Sequence, residues 1–470
     1  MKLSEQDLLK VTHVQTVDFG GRKPLTITGV SIDSRTVQLG DLFVALKGER
    51  VDGHDFVTRA ITAGAAAVII GRAWAGRNEA LMLSLSVPRL VVDDTIKALG
   101  EFARLYRRKF DIPVIAVGGS NGKTTTKDMI KAVLGTHSAV LATEGNLNNH
   151  IGVPLTIFRL EKKHKVAVVE IGTNHPGEIS YLCDILLPTH GLLTNIGTEH
   201  LEFFRTLGRV AKAEGELFDW LKTYRSKSAK VFINADDRFL AKRTRSIRNA
   251  VTFGFKASRA TVRGMNLTLS EKAQSRFQVK SGARSFNVEL SVPGMHTAMN
   301  ALAAATVGLT FRVPPASIRR ALHTFKPTGK RMEVIEMGGI TVLNDTYNSN
   351  PDSVRASLQT LGSMKTTGKR IAVLADMLEL GPDAAVMHRH VAHEAEKNGV
   401  EYLLTYGPLS RETHDASNAK FKAHYEQKNM LAEYLTELLF TGDVVLVKGS
   451  RGMKMEDVVT FLRERLSKAA

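Results

Sequence analysis

The chain has 470 residues, 43% of them hydrophobic, and a formal net charge of +17 from 64 Lys and Arg against 47 Asp and Glu. That length suits about three domains of ~150 residues, and the single cysteine, Cys183, excludes an intrachain disulfide framework and a multi-cysteine zinc site. The positive charge fits nucleic acid, an anionic membrane or a phosphorylated small molecule without choosing among them.

Residues 1 to 10 alternate charged and apolar groups and lack the basic start and apolar run of an export signal. The longest apolar stretches, such as residues 65 to 70 and 444 to 447, fall far short of the ~20 needed to span a bilayer. A soluble cytoplasmic protein with no membrane insertion is expected. Residues 25 to 46 alternate short extended candidates with turn residues, residues 56 to 67 read as a helix of small and apolar residues, and residues 95 to 110 read as an amphipathic helix. The last should stop before Asp111-Ile112-Pro113, because proline disfavours helical geometry in its predecessor. A first α/β domain over 1–110 follows.

Residues 114 to 117 form a buried-strand pattern, followed by a glycine-rich turn and a helical stretch over 123 to 134. The turn reads Gly118-Gly119-Ser120-Asn121-Gly122-Lys123-Thr124-Thr125-Thr126. In this position it is a phosphate loop: glycines let backbone amides converge on phosphate oxygens, Lys123 supplies charge at the β and γ phosphates, and the Thr124 hydroxyl suits magnesium. It departs from the general Walker form, because Val117 stands where the first glycine would be. Two further apolar strands, residues 166 to 171 and 191 to 196, end in polar residues, as parallel strands do where they open on a ligand crevice. Glu170 closes the first, and a carboxylate there needs a cation or donors, which makes it a candidate magnesium ligand. His200, a few residues after the second, is ambiguous by itself.

Residues 222 to 263 hold twelve Lys or Arg against Asp236 and Asp237, a local basic patch. A solvated helix and loop surface accounts for it; Phe232 and Phe253 lie in strand-like runs that read as core rather than as a stacking platform for nucleic acid. The segment Phe325-Lys326-Pro327-Thr328-Gly329-Lys330-Arg331 reads as a linker, which places a central domain at 111–326 and a third at 327–470. In the third, strands at residues 341 to 344, 370 to 375, 402 to 406 and 443 to 447 alternate with helices near Ser353, Val386, Asn429 and Met455, a parallel-sheet pattern. The fold class is α/β in three domains: a central nucleotide-binding domain between an N-terminal α/β domain and a C-terminal Rossmann-like one.

These pieces in this order resemble the Mur ligase family, whose members join an amino acid or dipeptide to a UDP-linked carboxylate. Val30 to Arg35, Gly40 to Arg50 and Asp52-Gly53-His54-Asp55-Phe56 are similar to its UDP-binding domain, which implies substrate contacts for Ser31, Ser34, Arg35 and Lys47. The family's magnesium and adenine positions fall on Thr124, Glu170, Asn195 and His200, and the resemblance extends the nucleotide site to Gly119, Ser120, Asn121, Gly122, Lys123 and Thr125. Asn148 and Asn149, within Asn146 to Asn149, and Asn174 and His175, within Gly172 to Ile179, match substrate segments, with His150 where an acid is common. Pro293-Gly294-Met295-His296 leads to Asn300, whose counterpart approaches the nucleotide; Thr297 departs from the usual asparagine. Asn344 to Ser353 is similar to the member that adds D-alanyl-D-alanine and implies that Asp345 and Asn348, with Arg331 at the linker, lie near ATP. Residues 376 to 381, His388 and residues 448 to 451 match the same member.

The resemblance implies ATP-dependent ligation of D-alanyl-D-alanine to UDP-N-acetylmuramoyl-tripeptide through an acyl phosphate, with ATP and Mg2+, in peptidoglycan precursor synthesis, by a monomer without nucleic acid. Another amide ligase of the family, or a folylpolyglutamate synthetase, shares the phosphate loop; the first-domain motifs and Asp345 argue against both, and the Asp-Asn-Pro-Arg signature of the diaminopimelate-adding member does not occur. A nucleotide-regulated nucleic-acid binder has only the charge in its favour. One departure stands out in Val210 to Phe218. The family carries a carbamylated lysine there, and the matching position is Glu214. Lys212, two residues earlier, lies about 200° around a helix and should point away. The expectation is that the Glu214 carboxylate does what the carbamate does elsewhere; a solvated Glu214 with a carbamylated Lys212 is the alternative.

Overall fold

A computed structural model describes residues 3–8, 10, 14–18, 25–224 and 229–466. It contains two compact units. One comprises Met1–Ala116, Ala139–Gly172 and Gly177–Thr189; the other comprises Val117–Ser138, Thr173–Pro176 and His190–Ala470.

In the first unit a five-stranded sheet runs in the order Val14–Asp18, Arg89–Val92, Ala67–Gly71, Asp41–Val44, Gly29–Ser31, parallel except at the first pair. The central strands are apolar on both faces, as a covered parallel sheet requires. Residues 67 to 71 therefore form a strand. The expected helix over 56 to 67 is shorter, Val57–Thr62, because Gly64 turns the chain with φ +110°, a conformation that costs a side chain dearly. The helix Thr95–Arg107 forms as expected, capped by Asp94, whose carboxylate accepts the Ile96 and Lys97 N–H groups. It ends where the buried Arg107 guanidinium donates to the carbonyls of Phe110, Ile112 and Leu186. Gly100 lets this helix lie against Glu178–Leu186, since a Cβ there would meet Ile185 Cδ1 at 2.8 Å. The parallel pair Val140–Ala142 and Val166–Glu170 and the antiparallel pair Leu3–Ser4 and Thr26–Ile27 also lie in this unit.

In the second unit the strands His190–Leu193, Lys230–Asn234, Ala250–Gly254 and Val262–Leu269 pair in parallel succession. Gln274–Ser281 and Arg284–Pro293 follow as antiparallel neighbours, a meander the sequence reading did not distinguish. Phe232 and Phe253 are fully buried, as expected. The basic patch is dispersed over several elements: Lys230 and Arg248 flank the N-terminal ends of their parallel strands, Arg238 and Lys256 follow the C-terminal ends, and Lys222, Lys242 and Arg243 lie on helices. Arg225 and Lys227 lie outside the described residues.

A second sheet in this unit has the order Glu333–Met337, Ile340–Asp345, Val444–Lys448, Arg370–Ala375, Tyr402–Tyr406, Phe421–Tyr425. Four pairs are parallel, but Glu333–Met337 runs antiparallel at the edge, so the third-domain sheet is not purely parallel. Alternation divides its core. Ala372 and Leu374 enter one apolar cluster, and Ile371, Val373 and Ala375 enter the other, so helices cover both faces. Burying each of these larger side chains contributes roughly 1.5–3 kcal/mol. Among the described residues no helix is long and apolar enough to cross a membrane.

Candidate active site

The chain leaves the strand Val114–Gly118, turns through Gly119 and Gly122 at φ +105° and +79°, and enters the helix Lys123–Gly135. Neither glycine has room for a side chain. A Cβ on Gly119 would meet Thr194 Oγ1 at 2.4 Å, and one on Gly122 would meet Asn300 Oδ1 at 2.6 Å. Asn300 is thereby placed against the loop. The other flank is the segment after His190–Leu193. Ser120 N–H donates to the Asn195 carbonyl at 2.8 Å, and the Ser120 hydroxyl accepts the Gly197 N–H at 2.8 Å. Asn195 closes a two-way bridge, accepting Asn121 N–H at 3.1 Å and donating to the Asn121 carbonyl at 2.9 Å. Thr124 is buried and Thr125 half-buried in the first turn of the helix, where backbone N–H groups and the helix dipole favour an anion.

Lys123 Nζ lies 3.1 Å from Glu199 Oε2 and 3.3 Å from the Ser120 carbonyl. Glu199 was not among the expected site residues; an acid beside His200 just past a strand's C-terminal end was its only signal. Glu214 lies in Leu207–Tyr224 and is completely buried, its Oε2 accepting the Gly119 N–H at 2.7 Å. Lys212 is exposed, so the rotation argued from sequence holds and the solvated alternative for Glu214 does not. Burial pushes the Glu214 carboxyl up to about 8, repulsion from Glu199 adds to this, and Lys123 and the Gly119 N–H pull the other way. Glu199 Oε1 and Glu214 Oε1 are buried without a hydrogen-bond partner.

His200 stands just beyond, at φ +46°, with Nδ1 2.5 Å from Oε2 of Glu379, itself at φ +62°. The His200 hydrogen bond holds the Glu379 carboxyl below its ordinary value. Two touching non-glycine residues in the left-handed region mark a strained junction of the kind found at functional sites.

Asp345 ends its strand with Oδ2 2.5 Å from Lys448 Nζ and 2.7 Å from the Ser357 hydroxyl, while Oδ1 accepts the Met332 N–H. Burial raises the Asp345 carboxyl, but Lys448 and Ser357 outweigh it and leave it below its ordinary value. Lys448 is almost fully buried and also donates to the Asn348 carbonyl at 3.0 Å. The exposed Asn348 side chain accepts the Arg451 N–H at 3.4 Å, and Arg331 lies over the Tyr347 ring at 3.8 Å. Asp345, Asn348, Arg331 and Lys448 thus form one neighbourhood, of which Lys448 had been read only as part of a motif. His175 and Asn174 are exposed, and His175 packs on Phe203 with ring centroids 4.7 Å apart.

In the first unit Glu170 is buried at its strand end, with Oε1 accepting from Asn148 Nδ2 at 2.8 Å. Asn149 Oδ1 accepts the Ile151 and Gly152 N–H groups and so begins the next helix. Ser31 and Ser34 are buried in a self-bonded turn: the Ser31 hydroxyl donates to the Asp33 carbonyl at 2.9 Å. Asp33 binds the exposed Arg35, which draws the Asp33 carboxyl down to about 2. Lys47 is exposed, and its backbone pairs with that of Asp52 in an isolated antiparallel β-bridge. No three His, Cys, Asp or Glu side chains among the described residues form a ready-made metal cage.

Three family models match in chain order: the Mur ligase family catalytic domain over residues 26–107, the Mur ligase middle domain over 117–308, and the Mur ligase glutamate ligase domain over 330–451. The UDP-N-acetylmuramoyl-tripeptide–D-alanyl-D-alanine ligase of Bacillus subtilis (strain 168) is 36% identical over 445 residues, covering 93% of each chain. The enzyme of the same name from Escherichia coli (strain K12) is 35% identical, covering 94% of each. Among solved structures, MurF from Acinetobacter baumannii superimposes with a TM-score of 0.88 at 28% identity over 99% of each chain. The Thermotoga maritima MurF ligase in complex with ADP gives 0.81 at 28% identity, over 94% of this chain and 98% of that one.

Proposed function

The chain belongs to the Mur ligase family, and from that premise we propose that it joins D-alanyl-D-alanine to the tripeptide carboxylate of UDP-N-acetylmuramoyl-tripeptide at the expense of ATP. The observation that carries this reading is the near full-length relationship to ligases of that name, with a phosphate loop of the required form at Gly119 to Thr125.

A carboxylate is a poor acyl donor, because its charge repels nucleophiles and its oxygen leaves badly. The tripeptide carboxylate oxygen attacks the γ-phosphorus of ATP, the bond to the β,γ-bridging oxygen breaks, and ADP departs. The free amine of D-alanyl-D-alanine then attacks the acyl carbon with its lone pair, phosphate is expelled, and the nitrogen loses a proton to solvent. Lys123 and the amides of Gly119 to Lys123 stabilise charge on the transferring phosphoryl group, where catalysis of this kind gains most. Asp345, Asn348, Arg331, Asn195 and Asn300 bind the rest of the nucleotide. Ser31, Ser34, Arg35 and Lys47 hold the UDP end, and Asn148, Asn149, Asn174 and His175 hold the peptide.

Within the second unit the Thr124 hydroxyl and the buried Oε1 atoms of Glu199 and Glu214 are hard ligands that suit magnesium, with His200 at the margin, and in the first unit the Glu170 carboxylate is a further candidate ligand. Bound there, magnesium would neutralise charge on the β and γ phosphates. With a cation bound beside it, Glu214 would be held ionised and would supply the anionic oxygen for which the family uses a carbamylated lysine. The reaction consumes ATP and a UDP-linked precursor, which puts it in the cytoplasm, and its product feeds peptidoglycan assembly. The test is phosphate release: it should require UDP-muramoyl-tripeptide and D-alanyl-D-alanine together, assayed with both the diaminopimelate and the lysine form. Release with either substrate alone at the full rate would refute ligation.

A further inference from the structure

Asn350 and Asp352 follow Asp345 in the same run of sequence, but their side chains turn to the phosphate loop instead of the Lys448 neighbourhood. Asn350 caps the helix Pro351–Ser363, its Oδ1 accepting the Ser353 N–H at 2.8 Å, and its Nδ2 donates to Asn121 Oδ1 at 2.9 Å. Asp352 Oδ2 accepts both the N–H and the hydroxyl of Thr198, at 2.7 and 2.8 Å. Its Oδ1 lies 3.1 Å from Arg355 Nη2. Gly197 has no room for a Cβ, which would meet Asp352 Oδ2 at 2.7 Å and Asn121 Nδ2 at 3.0 Å. An acid in the first turn of a helix is ordinarily a solvated answer to the helix dipole. Here the cap is already supplied by Asn350, and one carboxylate oxygen is committed to a segment 154 residues away in sequence.

That segment is three residues long in its essentials. Gly197 exchanges hydrogen bonds with Ser120 of the loop, Thr198 is held by Asp352, and Glu199 holds Lys123. We propose that Asp352 is a positioning residue of the ligation reaction: by fixing Thr198 it sets the place of Glu199, and through Glu199 the direction in which Lys123 presents its ammonium to the nucleotide. The inference rests on the reading of Lys123 as the phosphate-binding lysine. Its consequence is a coupling. The strand and helix that carry Asp345 and Asp352 are linked by only a few residues, so the lysine is correctly placed when the Asp345 neighbourhood is docked. ATP bound without that docking meets a misdirected lysine and is spared wasteful transfer.

The experiment uses the full chain with ATP, UDP-muramoyl-tripeptide and D-alanyl-D-alanine, reading kcat, each KM and the melting temperature. Asp352→Ala should lower kcat by about 10- to 100-fold, the usual penalty of a small misplacement. The KM for the UDP-substrate should stay within about twofold. Asp352→Asn keeps an acceptor oxygen for the Thr198 N–H and should recover most of the rate, which also covers the case of an Ala variant that folds poorly. Because Asp352 and Glu199 act on one lysine, Asp352→Ala combined with Glu199→Gln should be no slower than the slower single variant. The proposal is overturned if Asp352→Ala keeps kcat within about twofold of wild type, if Asp352→Asn is no faster than Asp352→Ala, or if the two single losses multiply in the double variant. A wild type without dipeptide-dependent turnover would instead overturn the ligase reading, so the two failures are distinct.

Discussion

At the scale of single residues, the phosphate loop joins two groups that should respond differently to substitution. On the proposed reading Lys123 presents its ammonium to the transferring phosphoryl group, so Lys123→Ala should lower kcat by about a thousandfold, ~4 kcal/mol of transition-state stabilisation. Binding of the UDP-substrate, measured by calorimetry, should persist. Glu214 acts from beneath the loop through Gly119 and whatever its free oxygen meets. Glu214→Ala should cost about 10- to 100-fold in activity, with no rescue by bicarbonate, and the wild type should be indifferent to removal of carbon dioxide from the buffer. A carbon-13 carbamate signal from labelled bicarbonate that vanishes in Lys212→Ala would refute this, and the exposure of Lys212 argues against it. His190, away from the chemistry, offers a pH test. It is buried beside Phe311 and Phe232, and burial, reinforced by Lys230, lowers its pKa from 6.5 to about 4. Between those values the unfolded chain binds the proton that the folded chain refuses, so stability falls as pH drops through 6.5 and the loss is complete below 4. The loss is up to ~3 kcal/mol. Urea midpoints measured across this range should show less acid sensitivity in His190→Gln than in wild type.

At the scale of elements, the site depends on helices that approach closely because small residues permit it. Met295–Thr310, which carries Asn300, packs on the phosphate-loop helix with Gly308 at the contact; a Cβ there would meet Val133 Cγ1 at 2.6 Å and Ile318 Cδ1 at 3.1 Å. Gly308→Val should therefore destabilise by about 2 to 3 kcal/mol, because overpacking exceeds the ~1 kcal/mol that replacing a mid-helix glycine returns. Thermal unfolding of the variant measures this, and an unchanged melting temperature would show that the helices have room to separate. The alanine-rich composition of this helix has the same origin, since nearly every residue from Thr297 to Gly308 is buried.

At the scale of the whole molecule, an acyl phosphate must be kept from water, which calls for closure around the bound substrates. The linker has a backbone suited to a hinge: Gly329, Lys330 and Met332 have φ of +72°, +60° and +51°, and the two with side chains hold a conformation that costs energy. Addition of a non-hydrolysable ATP analogue with UDP-muramoyl-tripeptide and D-alanyl-D-alanine should lower the radius of gyration seen by X-ray scattering. An identical value with and without ligands would count against closure.

The strands Arg370–Ala375 and Tyr402–Tyr406, the loop from Gly119 to Thr125 and its helix were legible in the sequence because their signals are local. A strand buried on both faces must be apolar throughout, and a turn that wraps phosphate must be glycine-rich and followed by a helix. The rotation separating Glu214 from Lys212 was legible for the same reason, since helical geometry fixes it. Sequence could not show that Glu214 would lie under Gly119, that Glu199 would take Lys123, or that Asp352 would reach Thr198, because each pairing joins residues 76 to 154 positions apart. Nor could it show that, within the basic run from 222 to 263, Lys230 and Arg248 would flank one end of their strands and Arg238 and Lys256 the other. Neighbouring charges in a chain that alternates strand and helix are sent to opposite edges of the sheet, so linear clustering says little about the surface until the strands are paired.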